Sequence, residues 1–154
     1  MKYEVSYDEK LRIIRSHSEG KWNVPDSDAA TKEIVNVSRK HDTVHVLIDH
    51  SKLNINIPQY MAFNRPNDLK AQFIDLYPKV AFISPKGRHK LYQFFTLVAQ
   101  NRGIQFKTFR ENEEAMDWLL KDYEESTLFP SLLLIYSFNS NSIFNFTKHP
   151  TEWI

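Results

Sequence analysis

The sequence contains no cysteine, and this absence removes several kinds of chemistry at once. Disulfide bonds, thiolate nucleophiles, and zinc or iron–sulfur sites with cysteine ligands are all excluded. A chain without cysteine also fits a reducing compartment, so we expect a cytoplasmic protein. The first ten residues are polar and lack the apolar segment that a secretion signal needs, which agrees with this expectation.

Long apolar runs and an excess of one charge are also missing. No run reaches the roughly 18 apolar residues of a transmembrane helix, so we expect no transmembrane segment. The 20 basic and 19 acidic residues leave a formal net charge of +1, which gives no global attraction for nucleic acid. We therefore expect no nucleic-acid partner. Hydrophobic residues make up 42% of the 154 residues, a composition typical of one globular domain with a substantial core.

Short apolar runs that read as strands recur along most of the chain. Residues 2–7 and 10–17 alternate between apolar and polar side chains, which predicts an opening β-hairpin. Three later runs, 43–49, 79–84 and 104–109, have the nearly continuous apolar character of strands buried on both faces. The sequence thus predicts a sheet with a buried centre.

Helical periodicity fills the gaps between these strands. The predicted helices cover 25–41, 66–76 and 87–101, and a last helix opens at Arg110 or Asn112. Pro66 suits the first turn of the second helix, where its missing N–H has no partner. Strands that alternate with helices predict an α/β fold, a single-domain mixed sheet of about five strands with flanking helices.

The character of the sequence changes after about residue 125. Residues 126–154 contain only two charged side chains, Lys148 and Glu152, among many Leu, Phe, Ser and Asn residues. We therefore divide the chain into a domain, 1–125, and an apolar, low-charge C-terminal extension, 126–154. Three interpretations of the extension are open: an arm packed on this domain or on a second copy, a disordered segment, and the product of a shifted reading frame.

Several motifs in this order of elements resemble the STAS-like domain, in particular its SpoIIAA-like or STAS/SEC14-like branch. The motifs are Val46-Leu47-Ile48-Asp49, Lys79-Val80-Ala81-Phe82-Ile83, the run from Phe95 through Val98 to Gly103, and Phe109-Arg110 followed by Glu114 to Leu119. Better-known STAS domains are non-enzymatic interaction modules, and anti-sigma factor antagonists are among them. The resemblance implies this fold over about residues 1–123, a regulatory or protein-interaction role, and no enzyme activity.

The sequence departs from one feature of that family. Some STAS domains are switched by phosphorylation of a serine in an Asp-Ser-x-Gly motif after a central strand. Here His50 separates Asp49 from Ser51, and no glycine follows, so the switch motif is not reproduced. The likeness to SEC14-type proteins implies a different property, the binding of an apolar, lipid-like molecule.

Polar side chains gather just after three of the predicted strands. They are Asp49, His50, Ser51, Ser84, Lys86, Arg88 and Arg110. In open α/β sheets, ligands bind at the carboxyl ends of strands, so these residues form the candidate ligand-binding site for a small apolar or anionic molecule. The group around Ser84 precedes a predicted helix whose free N–H groups favour an anion, although a solvated basic loop explains the same residues.

The sequence shows no catalytic or metal-binding pattern. Asp49, His50 and Ser51 are the residue types of a catalytic triad, but neighbours along a strand point to opposite faces. His41 and His45 have ligand-like spacing without a third ligand nearby. We therefore expect no catalytic residue, no metal and no cofactor.

The leading hypothesis is a cytoplasmic regulatory or protein-interaction module whose partner is another protein or a second copy, in a homodimer. The alternative is a small-ligand-binding module.

Overall fold

The sheet adds its strands in the order of the sequence. The structure, a computed structural model, describes residues 1–73 and 75–121. Within these ranges the strands are β1 Lys2–Asp8, β2 Ile13–Lys21, β3 His45–Asn54, β4 Lys79–Ile83 and β5 Gln105–Phe109. They form one sheet in the order β1-β2-β3-β4-β5. The β1–β2 pair is antiparallel and the other three pairs are parallel.

Helices connect the parallel strands, as the sequence pattern predicts. They are α1 Val24–His41, α2 Gln59–Gln72 and α3 His89–Gln100, followed by α4, whose described part covers 112–121. The first three helices share one core cluster with the strands and form a layer on one face of the sheet. The predicted α/β fold, a mixed sheet with flanking helices, is therefore confirmed.

The two faces of the sheet carry different side chains because strand residues alternate. The buried side chains under the helical layer include Val46, Ile48, Val80, Phe82 and Phe106. On the opposite face, α4 packs near β4 and β5: the rings of Trp118 and Phe109 have centres 5.7 Å apart, and Lys79 Nζ lies 4.6 Å from the Trp118 ring centre. Consecutive residues of a central strand therefore reach different surroundings.

Local signals explain both ends of α1. The Oδ1 atom of Asn23 accepts a hydrogen bond from the backbone N–H of Asp26 at 2.9 Å, which caps the first turn. Pro25 follows the cap, where a missing N–H is harmless. At the other end, Asp42 adopts the left-handed conformation with φ 49° and ψ 51°, and its N–H donates to the Ser38 carbonyl. The helix therefore ends in a conformation that glycine adopts more easily than aspartate.

One predicted helix boundary was wrong. The sequence predicts a helix over 66–76 that Pro66 opens, whereas α2 covers Gln59–Gln72 and contains Pro66 in its interior. A proline there removes the N–H that would bond to the carbonyl of Ala62. Pro66 is almost completely buried, so packing of its ring against the core favours the longer helix despite the lost hydrogen bond.

The predicted domain boundary lies outside the part of the chain that the structure describes. Met1–Leu119 forms one compact unit. The boundary at residue 125 and the extension 126–154 lie beyond the described residues, so the division into domains stays a prediction. Within 1–73 and 75–121, no helix combines the length and the apolar character needed to cross a membrane.

Candidate functional site

The predicted site residues on β3 lie on different sides of the sheet. Asp49 and His50 are consecutive in the strand, so their side chains point to opposite faces. His50 lies beneath the helical layer, and Asp49 lines a groove on the other face. Ser51 is exposed, and its backbone N–H donates to Asp49 Oδ1 at 2.8 Å. These three residues therefore do not converge on one point.

The predicted residues after β4 and β5 form a local, mostly solvated cluster. Ser84 is buried, and its Oγ lies 2.8 Å from His89 Nδ1 and 3.3 Å from the carbonyl oxygen of Phe109. Burial, together with the charge of Arg110, lowers the pKa of His89, and Glu114 opposes this shift. The side chains of Lys86, Arg88 and Arg110 are exposed. A role of this cluster in ligand binding stays a prediction.

A contact between a histidine and a carboxylate lies on the sheet face opposite the helical layer. The Nδ1 atom of His17 lies 3.3 Å from Asp49 Oδ2, within a polar groove of about 260 Å³ that Glu4 and Arg15 also line. Burial alone would raise the pKa of Asp49, but hydrogen bonds from Ser51 and His17 outweigh it and lower that pKa. Among residues 1–73 and 75–121, no cluster of three or more acidic or histidine side chains is arranged to hold a metal. The groove is therefore a polar surface in which His17 contacts Asp49 and Arg15 pairs with Asp8.

A cavity of about 80 Å³ lies between the helical layer and the sheet. Its apolar lining comes from α1, α2 and the core strands and includes Ala30, Ile34, Ile48, Ala62, Leu69 and Phe106. One water-sized group needs about 10–15 Å³ of free volume of this kind, so the cavity has room for roughly five to eight such groups. That is enough for a small organic molecule.

His50 and Tyr92 form a polar pair in the cavity wall. The His50 Nδ1 atom lies 2.7 Å from the Tyr92 hydroxyl, and the Phe82 ring packs beside both rings at centroid distances of 5.9 Å and 6.2 Å. Burial lowers the pKa of His50 to about 4, against the opposing charge of Asp49. Burial also raises the pKa of Tyr92. Both side chains are therefore uncharged near neutral pH and offer a ligand hydrogen bonds without charge.

Arg65 on α2 brings a buried guanidinium to the cavity wall. Its Nη2 donates to Ser27 Oγ at 3.1 Å and forms an ion pair with Asp28, and its Nη1 lies 3.9 Å from Asp68 Oδ2. Burial would raise the pKa of Asp28, but hydrogen bonds from Gln72 and Arg65 lower it, so the carboxylate stays ionised. The Nε of Arg65 has no hydrogen-bond acceptor among the described residues.

Sequence reasoning missed Arg65 and Tyr92 as site residues. Arg65 comes just before Pro66, where the sequence predicts that a helix begins. No sequence pattern therefore indicated that Arg65 lies on the buried face of a longer helix. Tyr92 follows Leu91, which the helical period assigns to the core. The one available signal was chemical: a buried tyrosine needs a partner for its hydroxyl, and His50 was a candidate after a neighbouring strand.

The outer side of α2 exposes aromatic rings next to basic side chains. Tyr60 and Phe63 lie three residues apart on the helix and are 66% and 50% exposed. The Arg102 guanidinium lies 4.7 Å from the Phe63 ring centre, and its Nη1 donates to the Phe63 carbonyl at 2.8 Å. Arg102, Lys70 and the 83% exposed Tyr77 line a groove of about 390 Å³. We call these five residues the aromatic–basic surface.

Comparisons with known proteins give matches among solved structures alone. No protein-family model matches the sequence, and no curated protein matches it. Among solved structures, the chain is similar to the anti-sigma factor antagonist SpoIIAA in its unphosphorylated form. The two chains share 13% sequence identity with a TM-score of 0.44, and the match covers 75% of this chain and 94% of that chain. At this identity the similarity concerns the fold alone.

Proposed function

We propose that this chain is a non-enzymatic binding module whose cavity beneath the helical layer takes up a small, mostly apolar molecule. The observation that carries the proposal is an apolar space with a few polar groups, His50, Tyr92 and Arg65, in its wall. This combination is typical of small-molecule sites. Filled protein cores, in contrast, contain few voids larger than a water molecule.

The chemistry of the cavity wall supports binding rather than catalysis. His50 and Tyr92 have pKa values shifted so that neither changes charge near neutral pH, where a general acid or base must exchange protons. The contact between Ser84 and His89 lies outside the cavity lining, and the Ser84 hydroxyl is buried against the Phe109 carbonyl. An enzyme would require a nucleophile and a base that meet in a cleft.

Filling the cavity tests the proposal directly. Ala62 is 1% exposed and lines the cavity, whereas Ala71 is an exposed residue of the same helix. Leucine at position 62 would occupy the space of the ligand, and the same change at position 71 is the matched control. The probe is methylenecyclopentane, a small neutral hydrocarbon, and binding is followed through the NMR methyl signals of Leu69 and Ile34.

We expect saturable shifts of these signals in the wild type and in Ala71→Leu. In Ala62→Leu we expect binding to weaken at least tenfold, since the space is gone. Equal affinity in both variants, or shifts confined to surface methyl groups, would contradict the proposal. Circular dichroism of both variants checks that each is folded.

The aromatic–basic surface supports a second role, the protein interaction that the STAS-like resemblance implies. Exposed Tyr60, Phe63 and Tyr77 with Arg102 have the composition of interface centres, where aromatic residues and arginine are enriched. Lys70 and Arg102 outnumber the one acidic residue of the groove, Asp75, so the partner that fits is an acidic protein segment with apolar side chains.

Site-specific photo-crosslinking in cells tests this second role. A crosslinking residue at position 63 should give a discrete adduct that Arg102→Glu weakens, because the substitution reverses the charge at the surface. Glu33, an exposed residue of α1, is the control position. The same adducts from both positions would contradict the role, and an adduct of twice the chain mass would identify a second copy as the partner.

A further inference from the structure

The unpaired Nε of Arg65 carries an inference about the ligand, which rests on the binding role proposed for the cavity. Arg65 is 8% exposed, lines the cavity, and has no acceptor for its Nε among the described residues. A guanidinium has only donors, and a buried donor without a partner is unfavourable. A ligand atom that accepts a hydrogen bond from Nε would remove this unfavourable state.

The charges around Arg65 disfavour an anion as that acceptor. Asp28 already forms an ion pair with the guanidinium, its lowered pKa keeps it ionised, and Asp68 lies nearby. His50 and Tyr92 add no positive charge. The other cation of the described cavity wall, the Met1 ammonium, is paired with Asp26 at 2.6 Å. A carboxylate in the cavity would therefore lose its hydration and lie near Asp28 without gaining an unpaired cation.

We propose that the cavity selects a small neutral molecule with an apolar body and one hydrogen-bond acceptor, such as a carbonyl oxygen, which accepts from Arg65 Nε. The oxygen replaces any water that occupies the position and reproduces its hydrogen bond. The apolar body contacts side chains such as Ala62 and Leu69. The sequence predicts that the ligand is an apolar or an anionic molecule. The proposal keeps the apolar molecules and excludes the anionic ones.

Three probes of similar size separate the possibilities. Cyclopentanone carries the acceptor, methylenecyclopentane has the same shape without an acceptor, and cyclopropanecarboxylate is an anion. Binding to the full chain is followed by NMR, through the Leu69 methyl signals and the side-chain Nε–Hε signal of Arg65. We expect cyclopentanone to shift both the Leu69 methyl signals and the Arg65 Nε–Hε signal. Methylenecyclopentane should shift the methyl signals far more than the Nε–Hε signal. The carboxylate should bind at least tenfold more weakly than cyclopentanone.

The variant Arg65→Lys keeps the positive charge beside Asp28 and removes the Nε donor. We expect its affinity for cyclopentanone to fall roughly tenfold, as for the loss of a hydrogen bond from a charged donor, and its affinity for methylenecyclopentane to stay within about twofold. If Arg65→Lys does not fold, the Nε–Hε signal of the wild type alone decides the matter.

Two outcomes would overturn the inference while leaving the cavity a binding site. One is saturation with cyclopentanone without a shift of the Arg65 Nε–Hε signal. The other is tighter binding of the carboxylate than of the ketone. If no probe shifts the Leu69 methyl signals, then even methylenecyclopentane does not bind in the cavity. That result would overturn both the inference and the proposed binding role.

Discussion

The Nδ1 atom of His50 and the hydroxyl of Tyr92 are 42 residues apart in the sequence and 2.7 Å apart in the cavity wall. This hydrogen bond joins the sheet to the helical layer, because His50 lies on β3 and Tyr92 on α3. It gives each of two polar groups a hydrogen-bond partner in a mostly apolar space.

Removing the Tyr92 hydroxyl should destabilise the fold. We expect Tyr92→Phe to lower the free energy of unfolding by about 1–3 kcal/mol, because His50 loses its partner while the ring packing against Phe82 remains. Urea denaturation measures the effect. Tyr77→Phe, at an exposed ring, is the control and should leave stability unchanged. A Tyr92→Phe variant as stable as the wild type would show that the hydrogen bond contributes nothing.

Stability should decrease as the pH falls through the range in which His50 would normally take up a proton. The pKa of His50 is lowered from 6.5 to about 4 by burial, so the unfolded chain binds this proton more readily than the folded chain. The contribution of the neutral ring is fully present above pH 6.5 and is lost towards pH 4, up to about 3 kcal/mol.

Denaturation midpoints measured across that pH range check the prediction. We expect His50→Gln to flatten the slope, because glutamine has no titrating group. A smaller slope remains from His89, whose pKa is also lowered by burial, and towards pH 4 from Asp28 and Asp49, whose pKa values are lowered by hydrogen bonds. An identical pH dependence in the wild type and in His50→Gln would refute the assignment.

The N-terminal cap of α1 should contribute measurably to stability. Asn23→Ala removes the acceptor for the Asp26 N–H, and we expect a loss of about 1 kcal/mol. Asn36→Ala, at an exposed position of the same helix, is the control and should cost nothing, since alanine favours helix. Thermal unfolding of the two variants compares them directly; equal effects would mean that the cap is not formed.

Two left-handed positions should respond in opposite directions. Asp42 has φ 49° at the end of α1, and we expect Asp42→Gly to raise stability by about 0.5–1 kcal/mol because glycine adopts this conformation without a steric penalty. Gly103 has φ 75° in open space, so Gly103→Ala should lower stability by about 1 kcal/mol through backbone strain alone. Changes of the same sign in denaturant unfolding would contradict this explanation.

The spacing of apolar residues along the sequence predicted most helices and strands, because this spacing follows which side chains of each element are buried. It placed the hairpin, α1 and the three later strands near their observed positions. It ended the strand at Asp49, whereas β3 continues to Asn54, because that part pairs with β2 beyond an irregularity between His17 and Glu19. A local pattern does not contain such a long-range partner.

The candidate site was less predictable for a related reason. Alternation along β3 argued against a triad of Asp49 and His50, since it depends only on neighbouring residues, but the predicted ligand-binding site still grouped both residues, which lie on opposite faces. The His50–Tyr92 contact and the unpaired Nε of Arg65 depend on how three distant elements pack together. The need of a buried tyrosine for a hydrogen-bond partner was the one sign that Tyr92 and His50 could meet, and no such sign existed for Arg65.

The consecutive strand order has a consequence for folding during synthesis on the ribosome. Each strand of the described sheet bonds to the strand made just before it, so the sheet can grow from its first strand as synthesis proceeds. Tyr92 and Phe106, on α3 and β5, reach the cavity only near the end of this growth. The cavity wall therefore becomes complete only after α3 and β5 have been synthesised and have packed against the earlier strands.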